Sequence, residues 1–419
     1  MRTRVRNILA LAVCLAMTAC VTQVVRTVDM TPPVQFVGIQ SEGELLDIGI
    51  AVFDPNIPET YDEQIEQLVQ PDIRRAEANF IPYVAKNLLQ STGNWGAVRV
   101  VPRPTHAVDV TLSGKILHSD GESMSIETTV RDATGRIWFA RTYESLASKY
   151  AYDGSIPADI DPFQGVYKKL ADDMVAYRQN LSKDDVLIIR ATAELKFARE
   201  FAPDAFSDHV IATDDGEFEL RRLPSEDDPM LARVRKVRER EYLFIDTLDE
   251  YYEGFYRNMI TPYQGWRRAS YPEAIARKEL KAQARNRTIG GLVGIAVGVG
   301  TIYGSDTYQG DAAGVVGVIS GAMILKSALK KSAEAEIHTE ILQEIGVAAE
   351  AAIMPHTIEL ENQTVRLQGT VDEQYRELRK ILRTIYFADL GLPEPAPDGS
   401  LASEEESEEE SEEDSQGIR

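Results

Sequence analysis

A run of three predicted β-strands between residues 108 and 144 constrains the fold of this chain more than any other feature. The strands cover residues 108–119, 123–131 and 136–144, and only short turns around Gly121 and Gly135 separate them. Side chains of a strand point alternately to its two faces, so apolar residues at every second position indicate one buried face. The second and third strands show this alternation at Met124, Ile126, Thr128, Val130, Ile137, Phe139 and Tyr143. The pattern predicts a three-stranded meander whose apolar face other elements must cover.

Elements that can cover this face are predicted on both sides of the meander. Residues 46–54 and 98–101 have the composition of strands, and a helix is expected at residues 72–91, where Pro82 predicts a kink. Asp161 and Pro162 are predicted to cap and begin a second helix. The helices carry apolar faces made of Ile73, Ala76, Phe80, Val84 and Leu88, and of Phe163, Val166, Leu170, Met174 and Tyr177. The fold class is therefore predicted to be α+β, beginning with a small α/β sandwich domain (a mixed sheet with two helices) at residues 41–182.

Two segments of this region resemble a known family. They are Ala107-Val-Asp-Val-Thr-Leu-Ser-Gly-Lys-Ile-Leu-His-Ser-Asp-Gly and Ser125-Ile-Glu-Thr-Thr-Val-Arg-Asp-Ala-Thr-Gly-Arg-Ile-Trp. With them, residues 45–182 resemble a small α/β domain of envelope proteins. That domain is shared by the Tol propeller protein at its amino terminus, the lipoprotein activators of penicillin-binding proteins and the curli-secretion lipoprotein. The resemblance implies a non-enzymatic role in binding or assembly, but no particular partner, because one fold hosts several functions.

The following region, residues 183–287, is predicted to be helical. Ser182 and Asp185 have the spacing of a capping box, in which each residue satisfies a backbone N–H of the first helical turn. A short hairpin is expected at residues 210–223.

A long helix is predicted to begin at Asp228. Its apolar residues step by three and four, provided that Glu241 fills one position of the series. Such a seam belongs either to a coiled coil or to a helix that packs on its own chain, and we favour the second interpretation. Ser270 and Glu273 predict another capping box and a separate helix that runs to Arg287.

Two apolar, glycine-rich arms follow at residues 288–303 and 312–325. Small residues about every four positions allow two helix backbones to approach closely. The spacing resembles the glycine-zipper hairpins of envelope lipoproteins and predicts a helical hairpin over residues 288–330. The expected helix-packing positions are Gly290, Gly294, Gly298, Gly310, Gly314, Gly317 and Gly321.

The length and surroundings of the arms leave their location open. A helix needs about 20 apolar residues to span a bilayer, and each arm is shorter. Basic residues on both sides suit an anionic lipid surface, whereas packing within the chain or against copies of itself would equally bury the arms. The basic residues are Arg267, Arg268, Arg277, Lys278, Lys281, Arg285, Arg287, Lys326, Lys330 and Lys331.

The carboxyl-terminal part is predicted to contain a helix, a β-hairpin and a helix at residues 331–392. The hairpin strands are expected at residues 357–360 and 365–368. An acidic tail at residues 393–419 is predicted to be disordered, since it holds nine acids and no base between residues 404 and 414. The formal net charge of the chain is −22, which argues against general nucleic-acid binding, because that needs a basic surface.

The amino terminus has the three parts of a secretory signal. Arg2, Arg4 and Arg6 precede an apolar stretch at residues 8–17, and small residues come before a cysteine at position 20. Cys14 lies inside the predicted signal, residues 1–19, so the mature chain would have no cysteine available for a disulfide or a thiolate metal site.

Met17-Thr18-Ala19-Cys20 resembles the lipobox of bacterial lipoproteins. The resemblance implies cleavage before Cys20 and attachment of a lipid to its sulfur. Val21 follows the cysteine where an aspartate would retain the protein in the inner membrane, so the enteric sorting rules imply an outer-membrane anchor that faces the periplasm. Residues 20–40 include a Pro-Pro pair and are expected to be a tether.

No set of residues predicts catalysis, a cofactor or a metal. The five histidines are scattered, and Glu334 with His338 offers only one pair at ligand spacing on a helix. Ser327 and Lys330 match the spacing of penicillin-recognising enzymes but lack the partner motifs. The sequence therefore predicts a non-enzymatic outer-membrane lipoprotein that binds or scaffolds an envelope assembly. The alternative is a homo-oligomeric, membrane-inserting component of a secretion or pore-like complex that uses the glycine hairpin.

Overall fold

The computed structural model describes residues 31–38, 41–67, 69–148, 150–152, 161–213, 215–225, 227–298, 340–341, 343–348, 357–360 and 363–391. For residues 65–66, 277, 280–298, 357–360 and 363–365 it describes the backbone alone. The strands are β1 (Ile48–Ala51), β2 (Val98–Val101), β3 (Val110–Ser119), β4 (Ser123–Asp132), β5 (Ile137–Leu146), β6 (Val210–Ala212), β7 (Phe218–Leu220), β8 (Thr357–Leu360) and β9 (Gln363–Arg366). The helices are α1 (Tyr61–Gln67), α2 (Pro71–Ser91), α3 (Gln164–Gln179), α4 (Lys183–Phe201), α5 (Pro203–Phe206), α6 (Pro229–Gly298) and α7 (Val371–Asp389).

The first five strands form one mixed sheet in the order β2-β1-β3-β4-β5. β1 pairs in parallel with β2 and with β3, while β3, β4 and β5 form an antiparallel meander. The parallel pair requires a crossover connection, and α2 supplies it. The predicted mixed sheet, its meander and the helical region that follows are confirmed.

Helix α2 continues through Pro82. Proline has no N–H to donate to the carbonyl four residues earlier, so the carbonyl of Ala78 lacks its helical partner. The backbone N–H of Phe53 donates to that carbonyl at 3.1 Å. The proline thus leaves an acceptor that ties α2 to the end of β1.

Two hydrophobic cores hold the molecule together. The first lies between the sheet and helices α2 and α3, and the middle of α6 completes it with Phe255, Met259, Tyr263 and Trp266. The second joins α4, the first half of α6 and α7 to Ala51, Val100 and Val101 of the sheet. Both cores contain residues from each side of position 182, where the sequence predicted a domain boundary, and the division into domains stays a prediction.

The apolar seam of α6 packs on its own chain. Val234, Val237, Phe244 and Leu248 are buried against α4 and α7 in the second core. The intrachain interpretation is therefore confirmed. The helix is much longer than its seam, because its 70 residues extend about 105 Å at 1.5 Å per residue.

Three predicted boundaries are wrong. Ser270 and Glu273 do not begin a new helix, because α6 runs through them and the Ser270 hydroxyl donates to the carbonyl of Arg267 at 3.2 Å. Helix α3 begins at Gln164, and Asp161 lies in a turn before it. Strand β9 begins at Gln363, which pairs with Leu360, and not at residue 365.

After residues 299–339, which lie outside the described part, the chain returns beside α2. Residues 343–348 are helical, and Ile345 packs against the first core. A methyl group at Gly346 would overlap the backbone carbonyl of Asp72 at the start of α2. A residue without a side chain is therefore required at this close approach.

Candidate functional site

Arg267 is a fully buried charge on the inner face of α6. Its Nη1 donates to Asp161 Oδ2 at 2.9 Å, and its Nη2 donates to the hydroxyl of Tyr263 at 2.8 Å. The guanidinium also lies 3.8 Å from the ring centroid of Tyr263 and 4.8 Å from that of Phe163. Burial alone would lower the pKa of Arg267, but Asp161 and the neighbouring tyrosines raise it well above its usual range. The arginine therefore stays charged, and Asp161 holds it in place.

The contacts of Arg267 continue into the sheet domain. The hydroxyl of Tyr263 donates to Glu77 of α2, and the hydroxyl of Ser119, at the end of β3, donates to the same carboxylate oxygen at 2.5 Å. Arg74 Nε lies 3.3 Å from the other oxygen of Glu77. We call Arg267, Asp161, Tyr263, Glu77 and Ser119 the Arg267 network. It ties α6 to α2, to β3 and to the start of α3.

A backbone contact supports the Arg267 network. A methyl group at Gly121, in the turn between β3 and β4, would overlap the carbonyl of Arg267 and the N–H of Tyr271. The hydroxyl of Tyr152 donates to the Gly121 carbonyl at 2.7 Å, and the rings of Tyr152 and Tyr271 lie 5.5 Å apart. The turn and the helix therefore approach to a distance that only glycine permits.

A second buried network surrounds Glu241, the polar residue in the apolar seam of α6. Its side chain is fully buried, and its Oε1 accepts hydrogen bonds from the hydroxyls of Tyr375 at 2.5 Å and Thr105 at 3.0 Å. Arg379 Nε lies 3.8 Å from Oε2. These residues, which we call the Glu241 network, tie α6 to α7 and to the loop after β2.

The Glu241 network ends at Glu200 of α4. This carboxylate forms ion pairs with Arg379 and His106. Burial alone would raise the pKa of Glu200, but the positive charges of Arg379 and His106 outweigh it and lower the pKa to about 2. Glu200 is therefore ionised across the whole range in which the fold is expected to be stable.

The pKa of Glu200 predicts how the protein responds to acid. A carboxyl group whose pKa is lowered on folding contributes stability above its ordinary pKa of 4.5, and that contribution is lost as the pH falls towards 2. We expect Glu200→Gln to reduce the free energy of unfolding at neutral pH and to flatten its dependence on pH between about 4.5 and 2. Denaturant titrations at a series of pH values would measure both effects.

Glu219→Gln is the matched control for that measurement. Glu219 pairs with Arg221 near the surface, and its side chain is 55 % exposed. Its removal should therefore leave the pH dependence of the unfolding free energy below about pH 4.5 unchanged. If Glu200→Gln shows the same pH dependence of unfolding as the wild type, the ion pairs of Glu200 with Arg379 and His106 are contradicted.

A third set of contacts lies at the carbonyl of Ala107. Arg238 donates to it from Nε at 2.9 Å and from Nη2 at 2.5 Å, and the hydroxyl of Tyr242 donates as well. Nearby, burial raises the pKa of Asp109 to about 6 against the opposing charge of Arg238. These groups hold α6 on the loop before β3.

The three sets of contacts share one property. Their charged and hydroxyl groups bind partners on other elements, which in the third set is a backbone carbonyl, and each set includes residues of α6. Buried ion pairs of this kind hold elements in a defined arrangement, and removal of one partner leaves an uncompensated charge. The arrangement is suited to fixing a long helix on the folded body.

The sequence-predicted site residues are placed only in part. Cys20, Gly310, Gly314, Gly317 and Gly321 lie outside the described residues, and so do Ser327, Lys330, Glu334 and His338. Gly290, Gly294 and Gly298 lie in the last turns of α6. The structure therefore leaves lipidation of Cys20 and the zipper hairpin as predictions.

The prediction for Arg267 is wrong. The sequence places this residue among the basic residues that suit a lipid surface, but it is buried and paired with Asp161. Lys278 forms an ion pair with Glu122 at 2.5 Å, although its side chain is 60 % exposed. Glu241 was detectable as a polar residue in an apolar seam, whereas no sequence signal identified Arg267 or Glu77.

The histidines of the described residues take structural roles. His106 pairs with Glu200, His118 Nε2 lies 2.9 Å from Asp120, and His209 Nδ1 lies 3.0 Å from the carbonyl of Arg222. Within the part of the chain that the structure describes, no group of three or more His, Cys, Asp or Glu residues could hold a metal ion. In the same part, no helix combines the length and the hydropathy of a membrane span.

Comparisons with protein-family models, with curated proteins and with solved structures found no match to this chain.

Proposed function

We propose that this protein is a non-enzymatic outer-membrane lipoprotein, anchored through Cys20, that serves as a periplasmic scaffold or binding component of an envelope assembly. The observation that carries the proposal is α6. This helix runs without interruption from Pro229 to Gly298, and buried polar networks fix it to the folded body at Glu241 and at Arg267. A continuous helix that is fixed to the folded body and leads into a glycine-rich segment is suited to holding two other components apart.

The mixed sheet supports the same proposal. It is a mixed five-stranded sheet with an antiparallel meander, the kind of sheet that the sequence predicts for the α/β domain. In the envelope proteins named above, that domain takes part in binding or assembly. Its role here as a docking module is part of our proposal.

The anchor can be tested at Cys20. Cleavage and acylation both require the cysteine sulfur, and the mature chain has no second cysteine. We expect Cys20→Ala to abolish incorporation of labelled palmitate and to leave an unprocessed precursor. The readouts are radiolabelling and electrophoretic mobility, with Cys14→Ala as the matched control that keeps both acylation and cleavage. Labelling of the Cys20→Ala chain would contradict the lipoprotein assignment.

The scaffold role can be tested by crosslinking in intact cells. A photo-crosslinking amino acid at exposed positions of the body, such as Leu187 and Leu243, should capture specific envelope proteins. The same positions in the Cys20→Ala chain should capture fewer of them, because the unanchored body is no longer concentrated at the membrane. Identical capture with and without the anchor would count against a membrane-held scaffold.

A second candidate function has one observation in its favour. The backbone is helical through Gly290, Gly294 and Gly298, so the four-residue spacing places these glycines along one face of α6. Such a face suits close packing between helices of a homo-oligomeric, membrane-inserting assembly. Leucine at Gly294 and Gly298 should then disrupt the oligomer and its membrane extraction behaviour, whereas a scaffold that acts as a monomer should keep its oligomeric state.

A further inference from the structure

A basic cavity of about 230 Å³ lies between the first half of α6 and the end of α7. Arg233, Lys236 and Arg240 line it from α6, where spacings of three and four residues place them on one helix face. Asp389 of α7 also lines it, so three cationic side chains face one carboxylate. This is a local excess of positive charge on a chain whose net charge is −22.

The hydroxyl of Tyr386 supplies a second, independent sign of a ligand. Tyr386 lines the cavity and is 1 % exposed, yet its hydroxyl has no hydrogen-bond partner among the described residues. Burial and the charge of Asp228 raise the pKa of this hydroxyl, and the charge of Arg233 opposes the rise. A buried donor without an acceptor destabilises a folded protein. Cationic groups next to a hydroxyl donor match the requirements of a carboxylate or phosphate ligand.

The chain itself carries a ligand of this chemistry. Residues 404–414 contain nine acids and no base. Asp389, at the edge of the cavity, is 15 residues before Glu404, and an extended chain of that length spans up to about 50 Å. The acidic segment can therefore reach back to the cavity at the end of α7. A short tether also gives it an effective concentration of about 1 mM, so weak binding is enough for occupancy.

We propose that this cavity is an anion-binding site and that its ligand is carboxylates of the chain's own acidic segment, residues 404–414. Ion pairs with Arg233 and Lys236 hold the carboxylates, and the hydroxyl of Tyr386 donates a hydrogen bond to one of them. The bound segment competes with any other anion for this face of α6.

Carbodiimide crosslinking of the full chain tests the contact directly. The reagent joins a carboxylate to an amine that touches it, so Lys236 should form an amide with a residue between 404 and 414, identified by mass spectrometry. The yield should fall in about 1 M salt, which screens ion pairs beyond about 3 Å. It should also fall about fivefold in Arg233→Gln and stay unchanged in Arg268→Gln, an exposed cation of the other basic stretch. Crosslinks from the acidic segment mainly to lysines other than Lys236 would overturn the proposal.

Binding of the segment as a separate peptide provides the second test. The protein used is the full chain with the nine acids of residues 404–414 replaced by glutamine or asparagine, which removes the internal competitor. A fluorescent peptide of the native sequence should bind this chain about tenfold more tightly than the native chain. Equal binding to both chains would overturn the proposal.

Two further measurements distinguish a defined binding site from nonspecific electrostatic attraction between the peptide and the protein. Tyr386→Phe in the neutralised chain should weaken peptide binding about threefold without lowering the melting temperature, because the hydroxyl has no hydrogen-bond partner within the described part of the chain. Inorganic phosphate should displace the peptide. Phosphate binding to the neutralised chain without any peptide binding would identify a small-anion site and rule out the acidic segment as its ligand.

Discussion

Arg267→Ala is expected to lower the free energy of unfolding by about 3–5 kcal/mol. The substitution removes a fully buried cation and leaves the carboxylate of Asp161 without its ion pair. It also removes the guanidinium that stacks on Tyr263 and Phe163. Equilibrium denaturation of the purified chain would measure the loss, and hydrogen exchange should show increased opening of α6 around residues 263–271, where the turn at Gly121 packs.

The matched control for that prediction is Arg257→Ala, a substitution on the solvent-exposed side of the same helix. Arg257 pairs with Glu253 on the surface, and its side chain is 72 % exposed, so its removal should change stability by less than about 0.5 kcal/mol. The double variant Arg267→Ala, Asp161→Ala should be less destabilised than the sum of the two single variants, because the remaining carboxylate is no longer buried alone. A loss below about 1 kcal/mol in Arg267→Ala would show that the residue is hydrated and the network absent.

Glu241→Leu is expected to lower the free energy of unfolding by about 2–3 kcal/mol. The apolar seam of α6 taken alone suggests the opposite result, since leucine would complete the series of buried side chains. In the folded chain, however, the hydroxyls of Tyr375 and Thr105 both donate to Glu241, and both are buried. Leucine would leave these two donors without an acceptor, which costs more than the gain from added apolar surface.

Two companion variants make the Glu241 experiment decisive. Glu239 is exposed and lies in the same helical turn as Glu241. Glu239→Leu should change the free energy of unfolding by less than about 0.5 kcal/mol. Adding Tyr375→Phe to Glu241→Leu should recover part of the loss, because it removes one of the unpaired donors. A Glu241→Leu protein as stable as the wild type would mean that α6 and α7 do not meet at this residue.

Much of the local structure was predictable because it depends on neighbouring residues. The meander follows from the alternation along strands β4 and β5, although Ile137 is exposed where the pattern predicts burial. The capping box of Ser182 with Asp185 forms as its spacing predicts. The start of α6 was also correct, as the Asp228 carboxylate accepts from the N–H groups of Met230 and Leu231. The interruption expected at Ser270 was wrong because the capping pattern is equally compatible with a helix interior. Buried contacts on both sides keep α6 continuous there.

The sequence by itself determined the α+β class, the strand order of the meander and the expectation of an anchor at Cys20. These depend on periodicity and on short motifs, which a chain displays whether or not it is folded. Only the tertiary structure decided that Arg267 is buried rather than at a surface, and that Glu241 is an acceptor rather than a defect in a seam. Only the tertiary structure brought Tyr386 beside the cations of α6. Each of these outcomes joins residues more than 100 positions apart, because burial brings together groups that no local pattern relates.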